Sequence, residues 1–245
     1  MTHSTPSTSP PASLAISSEL RTRLHSIEER IVEACERSKR SRSEVTLCAV
    51  TKSVPIEKVQ AAIDVGLRVF GENRLQEAAQ KIPQVHAPSD VKWHFIGHLQ
   101  SNKARRAIEM FDLIQTVDSW SLAERLDRIA KELNRRIMVM LEVNLGEEVT
   151  KAGMREGEVL DIAQRISDLS NLELRGLMTV PPFLEPVQLV RPYFSRLRSL
   201  RDQAKKRNPN LTDLSMGMTH DFEIAIEEGA TMIRVGTALF GPRDN

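Results

Sequence analysis

Eight short apolar runs recur along this chain, at residues 45–51, 67–70, 92–96, 112–117, 137–143, 172–178, 211–215 and 231–236. Between them, apolar residues three or four apart predict helices over 55–64, 73–81, 99–109, 120–134, 155–168, 188–206 and 220–228. The runs are too uniformly apolar to have a wet face, so they predict parallel strands covered by helices. A closed, single-domain (β/α)8 barrel satisfies that alternation. The competing arrangement is an open doubly wound sheet, which usually carries a glycine-rich turn after its first strand. Here Thr51-Lys52-Ser53-Val54-Pro55 contains no glycine, which favours the barrel. One more helical pattern, from Leu14 to about Arg40, precedes the first strand and sets Leu20, Leu24, Ile27, Ile31 and Ala34 on one stripe. Ahead of it, Thr2 to Pro11 are rich in Ser, Thr and Pro and cannot offset the entropy of ordering. Residues 1–16 are therefore expected as a disordered tail, and 17–245 as the barrel domain.

Charge and cysteine content exclude several classes of function. With 34 Lys+Arg against 33 Asp+Glu the net charge is +1, so nothing global attracts nucleic acid or an anionic membrane. The basic stretch from Arg196 to Arg207 could serve a regulatory partner, but it reads more simply as a solvated helix face. No apolar run reaches the roughly 18 residues of a spanning helix, and the amino terminus lacks a signal-peptide core. The two cysteines, Cys35 and Cys48, match no metal spacing, and Cys48 falls inside the first apolar run as a small core residue. A reducing, cytoplasmic setting is expected.

The first run, Val45-Thr46-Leu47-Cys48-Ala49-Val50-Thr51, would carry Lys52 to the carboxyl end of a strand. Lysine ordinarily sits on a solvated face with a pKa near about 10.4. One partly desolvated at a strand end can lose its proton and attack an aldehyde, which is how a Schiff-base lysine is made. Barrel closure makes the first and eighth strands neighbours, so Lys52 would face the end of the run Thr231–Thr237. Alternation there puts Ile233, Val235 and Thr237 on one face, and Arg234 with Gly236 on the other. A guanidinium in an apolar strand is costly without a partner, so Arg234 either pairs with a carboxylate or donates to a ligand. Gly236-Thr237 offers backbone N–H groups and a hydroxyl. The segment Ser215-Met216-Gly217-Met218-Thr219-His220-Asp221, read as a loop before a helix, adds hydroxyls where barrels hold phosphate. Thr219 and Asp221 could equally be helix caps.

Several ordered motifs together carry a resemblance: Ala49-Val50-Thr51-Lys52, Phe70-Gly71-Glu72-Asn73-Arg74-Leu75-Gln76-Glu77, and Trp93 through Lys103 around Gly97-His98. They continue with Glu142-Val143-Asn144, Lys151-Ala152-Gly153, Arg175-Gly176-Leu177-Met178-Thr179, Leu214 through Thr219, and Arg234 through Arg243. From about Leu20 to Arg243 the chain resembles the pyridoxal phosphate homeostasis protein family, with the alanine-racemase amino-terminal barrel fold. One departure is visible: the family often has serine where Thr219 stands, and a hydroxyl survives the change.

The resemblance implies the type III fold of pyridoxal-phosphate proteins, with pyridoxal 5′-phosphate (PLP) as cofactor and Lys52 as the Schiff-base residue. It implies that Ser215 or Thr219, with the backbone of Gly236 and Thr237, holds the phosphate. Asn73 and Met178 line the ring in that reading, although Met178 could as well be a core methionine filling a gap. Arg234 would point at the ring nitrogen, where a fixed cation opposes protonation and weakens carbanion chemistry. His94 and His98 have no metal-ligand company, and neither a metal nor a catalytic residue is expected. The related racemases take a tyrosine from a separate carboxyl-terminal domain. This chain ends at Asn245 just after its eighth run, so no such domain is expected, and its single tyrosine, Tyr193, is expected to pack. The implied function is PLP binding in vitamin B6 and amino/keto acid homeostasis without turnover, by a monomer, with PLP-dependent apoenzymes as possible recipients. The alternative is a low-activity amino-acid racemase.

Overall fold

A closed ring of parallel strands organises the computed structural model, which describes residues 12–146 and 152–242. The strands are β1 (Thr46–Val50), β2 (Val69–Glu72), β3 (Lys92–Phe95), β4 (Leu113–Val117), β5 (Ile137–Asn144), β6 (Leu172–Met178), β7 (Asp213–Met218) and β8 (Met232–Val235). Each pairs in parallel with the next, and β1 pairs with β8, with Cys48 beside Arg234 and Ala49 beside Val235. The expected barrel is therefore present. A two-residue strand, Met154–Arg155, adds to the end of β5. Around the ring lie α2 (Ile56–Asp64), α3 (Leu75–Lys81), α4 (Ala104–Met110), α5 (Trp120–Glu132), α6 (Val159–Ile166), α7 (Arg191–Lys205), α8 (Phe222–Glu227) and the short α9 (Thr237–Phe240). Among the described residues no helix is long and apolar enough to cross a membrane.

Local chemistry explains where these helices stop and start. The α5 helix begins at Ser119, whose hydroxyl accepts the Leu122 N–H at 3.3 Å, an ordinary amino-terminal cap. Gly66 (φ +105°) follows α2 and Gly229 (φ +98°) follows α8, so each helix is terminated by a residue that adopts the left-handed conformation without a Cβ penalty.

Burial separates into two layers. Ile233, Val235, Ala49, Phe70 and Phe95 belong to the large outer core between the ring and its helices. Each fully buried apolar side chain there contributes roughly 1.5–3 kcal/mol. Cys48, Leu113, Met140, Met178 and Met232 form a smaller cluster on the opposite face of their strands, inside the ring. The alternation read for Arg234 against Ile233 and Val235 is thus what separates the interior from the helix layer. Tyr193 packs against the outer core, as expected.

Several boundaries differ from the sequence reading. The first helix, α1, spans Ala12–Arg37 and so begins inside the segment expected as tail, while residues 1–11 lie outside the described residues. Predicted strand 67–70 is shifted to Val69–Glu72, which brings Glu72 into the sheet. Predicted strand 211–215 runs on through Gly217 to Met218, so Ser215 is a mid-strand residue rather than a loop residue. Helix α1 lies across α8, and Arg30 and Arg37 of α1 pair with Glu223 and Glu227 of α8 at 2.6 and 2.7 Å.

Candidate functional site

At the carboxyl ends of the strands a cleft of about 330 Å³ opens between Lys52, Asn73, Thr219, Arg234, Gly236 and Thr237. Six of the eight residues singled out for cofactor binding meet there. Apolar walls come from Val50, Ile96, Val180 and Met218, and His220 completes the rim. Among the described residues the lining contains two cationic side chains and no carboxylate, so the cleft is built for an anion. Lys52 is half-buried on the turn after β1, and Arg234 projects from β8, the strand that barrel closure places next to it.

The other two expected residues, Ser215 and Met178, do not line the cleft. Met178 is 1% exposed and belongs to the interior cluster, as a gap-filling methionine would. Ser215 is fully buried because β7 continues past it, and its hydroxyl is already engaged. Arg234 Nη1 donates to Ser215 Oγ at 2.6 Å, and Ser215 Oγ donates to Gln115 Oε1 at 2.6 Å. Gln115 Nε2 in turn meets His94 Nδ1 at 3.0 Å. A guanidinium can only donate, so the direction of the whole chain is set: Ser215 donates its O–H to Gln115 Oε1, Gln115 donates its amide N–H, and His94 Nδ1 accepts. His94 therefore carries its proton on Nε2.

Of the alternatives for Arg234, a carboxylate partner is not what the structure shows. Its second amine donates to the Thr179 carbonyl at 2.9 Å, and the carboxylates of Glu142 and Asp221 act on it only through space. Burial pushes the Glu142 carboxyl up, with Asp118 adding to the effect and Arg234 opposing it, and Glu142 Oε2 has no hydrogen-bond partner. Asp221 accepts the Met218 N–H at 2.7 Å, and burial pushes its carboxyl up as well. Burial raises the Cys48 thiol to about 12, which makes it an inert core group. His98 instead lies on the surface, pairing with Asp118 at 3.2 Å.

Burial also lowers His94 to about 4, against a weaker pull from Asp112. The unfolded chain takes up that proton near pH 6.5, whereas the folded chain does so only near 4. Stability contributed by neutral His94 is complete above pH 6.5 and is lost as pH falls toward 4, by up to about 3 kcal/mol. His94→Gln should flatten the urea-midpoint profile across that window; parallel profiles for variant and parent would refute the assignment.

Phosphate-type donors sit opposite Lys52. Thr237 and Ala238 open α9, so their N–H groups have no acceptor within the helix; Ala238 N–H reaches Thr219 Oγ1 only at 3.5 Å. Asn73 Oδ1 is buried without a hydrogen-bond partner, an unfilled acceptor at the cleft wall. The absence of a side chain at Gly97 lets the Asn73 backbone approach closely, since a Cβ there would lie 2.2 Å from the Asn73 carbonyl oxygen. Sequence reasoning missed Val50, Ile96, Val180 and Met218 as wall residues, because an apolar residue at or just past a strand end carries no local signal distinguishing wall from core, and it read His220 only as part of a loop. Lys151 and Arg243, quoted among the motifs, lie outside the described residues.

Comparison with known proteins bears on the family and the fold. Residues 23–244 match the family model described as "Alanine racemase, N-terminal domain". The pyridoxal phosphate homeostasis protein of Aquifex aeolicus is 43% identical over 222 residues, 90% of this chain and 97% of its own. That of Escherichia coli K12 is 39% identical over 228 residues, 90% of this chain and 95% of its own. The structure of PipY from Synechococcus elongatus with PLP bound is 42% identical and covers 88% of this chain and all of its own, with a TM-score of 0.77. Alanine racemase of Clostridium difficile shares the fold alone: 16% identity, TM-score 0.69, 93% of this chain but 58% of the racemase. On the strength of matches that run nearly end to end in both partners, the chain belongs to the pyridoxal phosphate homeostasis protein family, built on the alanine-racemase amino-terminal barrel.

Proposed function

We propose that this protein binds PLP in the cleft as a reservoir for intracellular vitamin B6 and amino/keto acid homeostasis, with the cofactor held as a Schiff base on Lys52. The observation that carries the reading is the meeting of one amine, one buried guanidinium and the backbone of Gly236-Thr237 at the start of α9, in a cleft whose described lining residues include no carboxylate. Such a donor set suits an aldehyde that also bears a phosphate. PLP supplies an electrophilic carbonyl and, in enzymes, an electron sink for carbanions. Thr219 Oγ1 and the start of α9 bind the phosphate, Asn73 and Ile96 bound the ring, and Arg234 provides a fixed cation on the floor. A cation held by Ser215 and the Thr179 carbonyl opposes protonation of a ring nitrogen placed against it, so the sink is weak.

The same residues support a role without turnover. Racemisation needs a second acid/base across the substrate carbon, and the single tyrosine, Tyr193, packs against the outer core instead of lining the cleft. The holo-protein should exchange no amino-acid α-proton beyond the free-cofactor rate in deuterated water; turnover near the enzyme median of about 10 s⁻¹ would overturn this reading. In it the protein acts as a monomer and PLP-dependent apoenzymes receive the cofactor. Two free, buried cysteines fit a reducing cytoplasm.

The test of the site is selectivity. Thr219→Ala should weaken PLP binding by roughly 1.5–3 kcal/mol, the contribution of a hydrogen bond to a charged group, and leave pyridoxal binding nearly unchanged. Equal losses for both ligands, measured by equilibrium dialysis, would make Thr219 a structural cap and move the phosphate elsewhere.

A further inference from the structure

The two residues that flank Lys52 are tied to one buried ionic cluster on β2 and α3. Lys81, 5% exposed, donates to the Thr51 carbonyl at 2.6 Å, to Glu72 Oε1 at 2.8 Å and to Glu77 Oε1 at 2.7 Å. An ammonium has three protons, so every donor of Lys81 is used. Thr51 Oγ1 donates to the same Glu72 oxygen at 2.7 Å, and the Ser53 N–H donates to Glu77 Oε1 at 2.5 Å. Ser53 holds φ +57°, a conformation uncommon outside glycine that persists only where the surroundings fix it. Lys52 lies between these two anchored residues.

We propose that Lys81, Glu72 and Glu77 are positioning residues that clamp the Lys52 turn and present its amine, and no other, to the aldehyde. The inference rests on the reading of Lys52 as the attachment point. In the step served, the Lys52 nitrogen lone pair adds to the aldehyde carbon; a carbon–nitrogen double bond replaces the carbon–oxygen one, and the oxygen leaves as water with the two amine protons. Lys81 cannot compete, because an ammonium with three filled hydrogen bonds offers no lone pair. A buried lysine with two carboxylates is a poor way to stabilise a fold, since apolar residues of similar volume are often as good or better. Its value lies in directionality: three acceptors at fixed distances orient two backbone groups that apolar packing would leave free to turn.

Glu77 is the residue to alter, because an open depression lined by Ser53, Pro55, Glu77, Gln80 and Lys81 lets water replace the lost carboxylate. In the full-length protein, Glu77→Ala should speed hydrogen exchange of the Ser53 amide at least about tenfold, a readout that needs no cofactor. It should slow borohydride-trapped capture of PLP on Lys52 by about 10–100-fold, the effect of a small misplacement of a reacting group. Binding of pyridoxine 5′-phosphate, which has no aldehyde, should stay within about threefold. Glu77→Gln keeps a carbonyl oxygen that accepts the Ser53 N–H and should restore capture to within about threefold. Capture at the parental rate in Glu77→Ala would overturn the clamp, and so would a loss of capture matched by an equal loss of pyridoxine 5′-phosphate binding. Failure of the underlying site reading shows in the parent protein instead, as PLP trapped on a lysine other than Lys52, and would overturn both.

Discussion

Lys52→Ala should abolish borohydride-stable attachment of PLP and the absorbance band near about 420 nm that a lysine Schiff base gives. The expectation follows from position. Lys52 is the amine that lines the cleft, while Lys81 next to it is saturated by three acceptors and Lys58 reaches away to the Phe240 carbonyl at 3.3 Å. Weak, reversible PLP binding should persist, because Thr219, Arg234 and the backbone at Gly236-Thr237 are untouched. Mass mapping after reduction decides the matter: label on another lysine in the parent, or undiminished label in the variant, would remove Lys52 from the site.

Lys81→Met should be the most destabilising single change near the cleft, costing about 3–5 kcal/mol. Glu72 is fully buried, and burial already pushes its carboxyl up against the hydrogen bonds from Lys81 and Thr51 that pull it down. Removing the ammonium leaves that group without its cation, which is the costly way to break a buried pair. At about 2–4 °C per kcal/mol for a domain of this size, the melting temperature should fall by at least about 6 °C. Adding Glu72→Leu should recover much of the loss, since the carboxylate that then remains, Glu77, is only partly buried and still accepts the Ser53 N–H. Urea unfolding that shows a loss below about 1 kcal/mol for Lys81→Met would mean that the cluster carries no net ionic interaction in the folded protein.

The barrel was legible because its strands are buried on both faces, so the apolar runs stand out from the amphipathic helices even without knowledge of register. Strand ends were less so. Gly217 and Met218 extend β7 although neither is a strong strand former, because the pairing of Met218 with Arg234 of β8 overrides local preference. That extension moved Ser215 out of reach of the cleft. The lysine, the strand arginine and the Gly236-Thr237 turn could be brought to one barrel mouth in sequence, but only once barrel closure made the first and eighth strands neighbours. By contrast, the Lys81 cluster was invisible in sequence. Glu77 and Lys81 on a helix look like solvated surface until the fold brings Glu72 of β2 beneath them.

The line of donors from Arg234 through Ser215 and Gln115 to His94 has a consequence for the traffic of protons. A relay works only if its first member can let go of a proton and its last can pass one on. Here the first member is a guanidinium, which keeps its protons at any working pH, and the last is an imidazole whose protonation waits until about pH 4. The barrel floor is thus an insulator: it fixes where charge sits under the cleft without conducting it. Any proton gained or lost by a ligand above Arg234 must come and go through the open mouth, so exchange there should follow the concentration of buffer acid and base in the surrounding water.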